Sequence, residues 1–422
     1  KRNIILVLGV FSIIIISTFG TNLFVGSVND KSIAVLPFDN YSTAPEDQYF
    51  SDGITEVIIA NLAKVKDLKV ISRTSVMQYK NTTKKLKKIA EELGVANILE
   101  GSIQRANGRI RIVGQLIDAD TDEHIWAETY DRKESDIFKL QSEVAIKIAQ
   151  AMKYELTNEE KARIEEKLTE STIAYEYYLK GNMHESAGHS KENLFAAISE
   201  YERAVTIDAN FAEAQAQLGK MHAHVKWYKY DLSNKRLEMS KESIDRAMAL
   251  KPNNAIVRIA RGTYYYHGFR DYGNALADYT QASELSPGNI SAIYRIGLIY
   301  RRLGDYNKSV ENIEQAIRLD PRSALMLTNL AGSYIAQRNY EKVISIIKRT
   351  DDLGSLRTKV TYGVSALFFA SGKADKALEE LNSIKLSAYN SKLYYNRLLK
   401  NYNEINQILS IALNENFSNV QY

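Results

Sequence analysis

Two histidines in the segment HESAGH have residue types suited to metal chemistry. His184 and His189 resemble the paired imidazoles of a helical zinc site, but they are five residues apart. Positions i and i+5 lie about 140° apart around an α-helix, so the two rings cannot reach one ion. His222 and His224 are two residues apart and point to nearly opposite sides of a helix, which is typical of ordinary helix residues. We therefore predict no metal site.

A cluster of carboxylates near the start of the chain has a different chemistry. It contains Asp39, Glu46, Asp47 and Asp52. Such a cluster is compatible with a calcium loop or an acid–base site. Helix capping and a solvated loop explain the same residues without a ligand. A hydrolase that uses this acidic loop is therefore only the third of our functional hypotheses.

Other catalytic signatures are absent from the sequence. It has no phosphate loop, no Rossmann glycine fingerprint and no nucleophile elbow. The cysteine count of 0 excludes disulfides, thiolate metal sites and a cysteine nucleophile. The basic segment TKKLKK is followed by Glu91 and Glu92, which is typical of a solvated helix face rather than a phosphate-binding patch. We predict that the chain is not an enzyme and has no cofactor.

Length and charge limit the class of protein. The 422 residues are enough for two or three domains. A net charge of +4, with 25% charged and 45% hydrophobic residues, is an ordinary globular composition. This balance gives no reason to expect nucleic acid as a partner.

Residues 1–30 have the pattern of a transmembrane anchor. No charged residue lies between Arg2 and Asp30. The apolar run Ile4–Val25, at about 1.5 Å per residue, just spans a hydrocarbon core of about 30 Å. The basic residues at its start predict a cytoplasmic N-terminus. A cleavable signal peptide is the alternative, but its apolar part is usually shorter, about 7–15 residues.

Residues 31–157 alternate strand-type and helix-type segments. Ser32–Pro37 and the segment LKVIS are strand-like, and a helix follows each, the second ending at Gly94. Asn107-Gly108 between two strand-like runs predicts a type I′ hairpin. A further strand in HIWAETY and a helix from about Ser135 to Tyr154 complete the order β-α-β-α-β-β-β-α. We predict an α+β domain with one mixed sheet.

The segments of this domain resemble the TolB N-terminal-like domain of bacteria. The resemblance rests on SIAVLPFDN, YFSDGITEVIIANLAKVKDLKVISRTSV, ELGVANILEGSIQRANGRIRIVGQLIDADT and HIWAETYDR. It implies a domain outside the cytoplasm with no catalytic activity, often followed by tetratricopeptide repeats. With the anchor, it predicts a single-pass protein of the bacterial inner membrane whose C-terminal part faces the periplasm. Related chains often carry a cytoplasmic nucleotide cyclase, winged-helix DNA binder or kinase before the membrane helix.

Residues 158–388 show an internal repeat. Pro287 and Pro321 lie 34 residues apart at the ends of similar segments, and Pro252 lies 35 residues before Pro287. This period resembles the tetratricopeptide repeat, and Ile290–Arg322 is the best-matched unit. We predict an all-α solenoid over residues 158–388 and capping helices over residues 389–422.

Small residues recur where the paired helices of each repeat should cross. They are Gly181, Gly219, Gly262, Gly297 and Ala331 on first helices, and Ala204, Ala247, Ala282 and Ala316 on second helices. Two early repeats depart from the period, because the segments SAGHSKEN and HVKWYKYDLSNK add about four and about nine residues. We predict longer helices or loops there.

The repeat pattern also predicts a partner-binding groove on the inner face of the solenoid. The residues assigned to it are Ile259, Thr263, Tyr266, Tyr294, Leu298, Arg301, Thr328 and Asn329. Aromatic residues at such positions are effective anchors for a partner. The lysines and asparagines with which related repeats clamp a peptide carboxylate are mostly missing here.

Two functional hypotheses follow. The first is a membrane-anchored, non-catalytic scaffold or sensor that binds a protein or peptide through the α/β domain and the repeat groove. The second is the outer sensory half of a receptor, in which Lys1 marks a truncation and an output domain lies upstream.

Overall fold

The computed structural model describes residues 31–42, 47–339, 341–343 and 345–346. The predicted anchor over residues 1–30 lies outside these ranges, and so do residues 347–388 of the predicted solenoid and the capping helices predicted over residues 389–422. Within the described ranges, no helix combines the length and apolar character needed to cross a bilayer. The described residues are mostly helical, with one small mixed sheet.

The sheet has six strands. They are β1 (Ser32–Val35), β2 (Asp39–Asn40), β3 (Lys69–Val70), β4 (Asn97–Ala106), β5 (Arg109–Asp118) and β6 (His124–Lys133). The order is β3-β1-β4-β5-β6, with β2 also paired to β4. The pairs β1–β3, β1–β4 and β2–β4 are parallel. The pairs β4–β5 and β5–β6 are antiparallel. The prediction of one mixed sheet is confirmed.

Local turn chemistry explains the hairpin and the helix ends of this domain. Asn107 and Gly108 both have positive φ, at 53° and 70°, which a type I′ turn requires. Gly94 ends its helix in the left-handed conformation, as its position predicted. The helices are α1 (Gln48–Leu62), α2 (Arg73–Val76), α3 (Leu86–Leu93) and α4 (Ile137–Ala151).

Paired helices follow the α/β domain. They are preceded by α5 (Asn158–Glu165), which a capping box at Thr157 begins. The pairs are α6 (Thr172–Ser186) with α7 (Lys191–Ile207), α8 (Ala212–Trp227) with α9 (Lys235–Leu250), α10 (Ala255–Thr263) with α11 (Tyr272–Leu285), and α12 (Ile290–Arg302) with α13 (Tyr306–Leu319). The last described helix is α14 (Ala324–Ala336).

The predicted small residues lie at the helix crossings. A Cβ added to Gly219 would be 2.6 Å from Ile244 Cγ1 and 2.9 Å from the Ser240 carbonyl oxygen. At Gly181 the same atom would be 2.4 Å from the ring of Tyr201. These distances are shorter than real Cβ contacts, so only glycine lets the paired helices approach this closely.

An aromatic core continues across residue 157. Phe138 on α4 packs edge-on against Tyr175 on α6, with ring centroids 4.8 Å apart. Tyr175 stacks on Tyr178, which contacts Phe211 at 4.9 Å. The buried residues of the sheet, of α4 and of the first repeats therefore form one hydrophobic cluster. The first repeats and the α/β domain share a core.

Later loops of the array return to the α/β domain. The Ser72 N–H donates to the Leu319 carbonyl at 2.8 Å, and the Ser75 hydroxyl donates to Asp320 Oδ1 at 2.6 Å. The Gly288 N–H donates to the Ala63 carbonyl at 3.1 Å. These contacts lie within the larger of two compact units, whose described residues run up to 296 and include 318–321.

The second unit comprises the described residues among 297–317 and from 322 onward. Gly297 again marks a helix crossing, since its Cβ would lie 2.7 Å from Ile313 Cγ1. The Ser309 and Ser333 hydroxyls are hydrogen-bonded at 2.9 Å inside this unit. Arg301 donates to the carbonyl and side-chain oxygens of Asn329 at 3.1 and 2.7 Å.

Candidate functional site

Aromatic and imidazole rings from three successive repeats meet in one continuous group. The first repeat supplies a ring from the loop after α6, the second from the end of α8, and the third from the turn after α10. We call this group the aromatic–histidine strip; it consists of His189, His224, Trp227, Tyr228, Tyr266 and His267.

The rings of the strip contact one another in a chain. The ring centroids of His189 and His224 are 5.0 Å apart, and those of His224 and His267 are 4.9 Å apart. His267 stacks on Trp227 at 4.4 Å with an interplanar angle of 14°. At the other end, His189 stacks on Tyr228 at 5.2 Å. The strip is therefore a packed ring surface that spans three repeats.

A π-helical turn places two of these rings. Residues Tyr264–Phe269 form six residues of π-helix directly after α10, and Arg270 ends the turn with a φ of 55°. A π-turn holds more residues than an α-turn, so successive side chains rotate by a smaller angle. Tyr266 and His267 consequently both contact Trp227, at 5.2 and 4.4 Å.

The histidines of the strip are neutral at pH 7. Burial lowers the pKa of His224 well below its usual value, and the nearby His267 and Arg295 lower it further. Burial followed by Arg295 likewise lowers the pKa of His267. Burial lowers the pKa of His189 although Glu185 opposes the shift. Neither ring nitrogen of His224 has a hydrogen-bond partner among the described residues.

One end of the strip is open to solvent. Tyr228 is 39% exposed, whereas His224 is 1% exposed. The adjacent Tyr230 stacks on Tyr228 and donates its hydroxyl to the His189 carbonyl at 3.1 Å. Next to the strip, Lys220 pairs with Glu185 at 2.7 Å, which neutralises both charges. The strip is therefore aromatic, with Arg295 as a positive charge close to its histidines.

The rings stack rather than converge on a point. Within the described ranges, no group of three or more His, Cys, Asp or Glu side chains has a geometry that holds a metal ion.

In the acidic loop near the start of the chain, Asp52 pairs with Lys80 at 2.9 Å and Asp47 with Arg105 at 3.5 Å. Glu46 lies outside the described residues.

The residues predicted for the groove have different environments. Ile259, Thr263 and Tyr266 are buried, and the Thr263 hydroxyl lies between the Ile259 carbonyl and the Tyr279 hydroxyl. Tyr294 and Leu298 are half-buried on α12. Arg301 and Asn329 are brought together by hydrogen bonds, and Thr328 donates to the Ala324 carbonyl. Only Tyr266 of this set belongs to the strip.

Five residues of the strip were not among the predicted site residues. Trp227 and Tyr228 lie in the inserted segment HVKWYKYDLSNK, and His189 lies in the inserted segment SAGHSKEN. Aromatic enrichment inside these insertions was the available signal. The helical pattern alone assigned His224 to an ordinary helix position.

Family comparisons match two parts of the chain. Residues 290–323 match the model of the tetratricopeptide repeat. Residues 29–147 match a model described as the second domain of HilA/YgeH-like transcriptional regulators. The family whose model matches the α/β domain therefore differs from the TolB N-terminal-like family that the sequence resembles.

Curated relatives match part of the chain. A Rhizobium meliloti protein named "Putative adenylate cyclase 3" is 44% identical over 195 residues, which cover 44% of this chain and 32% of that protein. Anaphase-promoting complex subunit 3 of Schizosaccharomyces pombe is 25% identical over 179 residues, covering 42% of this chain and 25% of that protein. The chain thus spans a third or less of the length of these two relatives.

Solved structures are also similar. PilF of Pseudomonas aeruginosa is 19% identical with a TM-score of 0.40, covering 56% of this chain and 97% of that one. A tetratricopeptide repeat protein from Parabacteroides merdae is 16% identical with a TM-score of 0.40, covering 59% of this chain and 95% of that one.

The matched repeat and the successive helix pairs define the class of this protein. It is a tetratricopeptide-repeat protein whose repeats follow an α/β domain with a small mixed sheet. Repeats of this class bind protein partners.

Proposed function

We propose that the chain is a non-catalytic module that binds a protein or peptide through its repeats. The aromatic–histidine strip carries this proposal, since rigid aromatic rings contribute much of the binding energy at interfaces. The neutral imidazoles and stacked rings favour an aromatic partner segment, and Arg295 adds one positive charge beside them. In the second unit, Leu298, Arg301, Thr328 and Asn329 are proposed separately as partner-contact residues, as is Tyr294 in the first.

Photo-crosslinking tests this surface. A benzoylphenylalanine at position 228 is expected to give a discrete cross-linked product in cells, because Tyr228 is 39% exposed at the open end of the strip. The same group at position 207, where Ile207 is 45% exposed at the end of α7, is the control. Trp227→Ala in the position-228 protein should reduce the product about tenfold or more.

Two results would count against the strip as a binding surface. One is no product from position 228 across native membranes and extracts. The other is a product that the Trp227→Ala change leaves unaltered, since the partner would then contact a different surface.

We propose further that residues 1–30 anchor the chain in a bacterial inner membrane, with the remainder in the periplasm. The uncharged run Ile4–Val25 and the basic residues before it support this topology. The α/β domain would then be the recognition or spacing element that its resemblance to TolB N-terminal-like domains implies.

The absence of cysteine makes this topology directly measurable. Leu232 is 64% exposed, so Leu232→Cys should react with a membrane-impermeant maleimide in cells whose outer membrane alone is permeable. Ser240→Cys is the matched control on the next helix, because Ser240 is wholly buried and should react only after denaturation. Labelling of position 232 only after inner-membrane lysis would place the repeats in the cytoplasm and contradict the proposal.

A second candidate function is the sensory half of a signalling receptor. The 44% identity to the protein named "Putative adenylate cyclase 3" supports it. In this case the chain would bind its partner outside the membrane and bias an output domain that precedes Lys1, such as a nucleotide cyclase, a winged-helix DNA binder or a kinase. Reading the coding DNA upstream of Lys1 distinguishes a receptor from a simple anchored scaffold.

A further inference from the structure

A cavity of about 400 Å³ lies beside the same π-helical turn that supports the strip. Its lining residues come from α9, from α10, from the π-turn and from the start of α11. The volume is within the range of small-molecule sites, about 300–1,000 Å³. The strip residues Tyr266 and His267 do not line it, so the cavity is a separate feature of the repeat array.

Three aromatic rings form one wall of the cavity. Tyr264 packs against Tyr265 with ring centroids 5.6 Å apart, and edge-on against Phe269 at 5.1 Å. Phe269 is 55% exposed, so its ring is available for contact with a ligand. An edge-on pair with one open ring face is a suitable contact for a further aromatic ring.

Ile244, two cations and two anions complete the lining. Arg261 is held by the buried Asp278, through Nε at 2.8 Å and Nη2 at 2.7 Å, and Arg258 shares the same carboxylate at 3.2 Å, so the two arginines together keep one net positive charge. Asp271 is held by hydrogen bonds from Asn274, because it caps α11. Lys241 and Asp245 pair with each other one helical turn apart, and both are 61% exposed.

The exposed pair is free to exchange partners. A solvent-exposed ion pair one turn apart contributes little to stability, so Lys241 and Asp245 can rotate towards a ligand at small cost. The cavity then presents one fixed and one adjustable group of each sign. A ligand with one positive and one negative charge satisfies this arrangement, whereas a ligand with a single charge leaves one sign uncompensated.

We propose that this cavity binds a free aromatic amino acid in its zwitterionic form. The ligand carboxylate is bound by Arg261 with Lys241, and the ligand ammonium by Asp245 with Asp271. The ligand ring packs against Tyr264 and Phe269. This site goes beyond the partner-binding function proposed above, since it takes a small molecule on a different face of the π-turn.

Isothermal titration calorimetry on the full chain, purified in a mild detergent, tests the ligand class. L-Phenylalanine is expected to bind at one site with a Kd below about 1 mM. Phenethylamine, 3-phenylpropanoate and L-alanine each lack one of the three required groups and should bind about tenfold more weakly or worse. No heat with L-phenylalanine at about 10 mM overturns the proposal, as does equal binding of any of the other three probes.

Paired variants test whether the heat measured with L-phenylalanine comes from binding in this cavity. Asp245→Asn and Phe269→Ala should each weaken L-phenylalanine binding about tenfold or more. Glu242→Gln is the control on the same helix, with a side chain 67% exposed and paired to Arg246, and Ile207→Ala is the control for loss of an exposed apolar side chain. Both controls should bind as the unmodified chain does. Binding that Asp245→Asn and Phe269→Ala leave unchanged lies elsewhere and overturns the assignment.

Discussion

Replacing Tyr175 by alanine is expected to lower the free energy of unfolding by about 3–5 kcal/mol. The ring is 1% exposed and packs against Phe138 of the α/β domain and Tyr178 of the first repeat. Its hydroxyl also accepts a hydrogen bond from Gln141 Nε2 at 2.9 Å. Loss of this side chain leaves a cavity and an unpaired amide in the core that both parts of the chain share.

The two tryptophans allow each part to be followed separately during urea unfolding. Trp126 lies on β6 of the sheet and Trp227 on α8 of the repeats, so Trp126→Phe and Trp227→Phe backgrounds each leave one reporter. Tyr175→Ala should shift the midpoint seen by both reporters. Ile173→Ala, on the same helix and 59% exposed, should change stability by less than about 0.5 kcal/mol. A shift confined to one reporter would contradict a shared core.

Acidification from pH 7 to pH 5 is expected to cost about 2 kcal/mol at the buried His222, and the buried His224 adds a cost of the same sign. Burial and the nearby Arg236 lower the pKa of His222 to about 4. Burial, with His267 and Arg295, lowers the pKa of His224. Both rings are neutral in the fold, whereas the unfolded chain binds their protons below its ordinary pKa of about 6.5. Their contribution is therefore present above about pH 6.5 and is lost progressively as the pH falls below it.

Urea unfolding as a function of pH measures this effect. His222→Gln should remove about 2 kcal/mol of the pH dependence between pH 7 and pH 5, since one titrating ring is gone. His124→Gln is the control, because His124 is exposed on β6. Identical pH profiles for the two variants, or a stability that does not change over this interval, would show that the buried rings do not couple protonation to folding.

Local features of the fold were predictable because short segments determine them. Asn107-Gly108 specifies its turn through two positive φ angles, and Gly94 specifies a helix end in the same way. Gly181 and Gly219 were identified because the repeat period places them at helix crossings, where Tyr201 and Ile244 exclude a Cβ. In each case, the residues that decide the structure are close in sequence or related by the repeat.

The environment of each groove residue was not predictable from the helical period, because that period treats each helix face singly. Thr263 was assigned to the inner surface, but it is wholly buried with its hydroxyl between Ile259 and Tyr279. The α-helical period also cannot anticipate the π-turn over Tyr264–Phe269, which brings two adjacent residues onto Trp227. A change in residues per turn alters the direction of every later side chain in that helix.

The sequence by itself determined the strands, the paired helices and the small residues at their crossings, since periodicity and turn chemistry are local properties. Only the tertiary structure decided that Phe138 and Tyr175 share a core, and that Ser75 bonds Asp320 across 245 residues of chain. It also decided which rings of the inserted segments meet in the strip. Contacts between distant segments depend on how the whole array packs, and no local pattern specifies that packing.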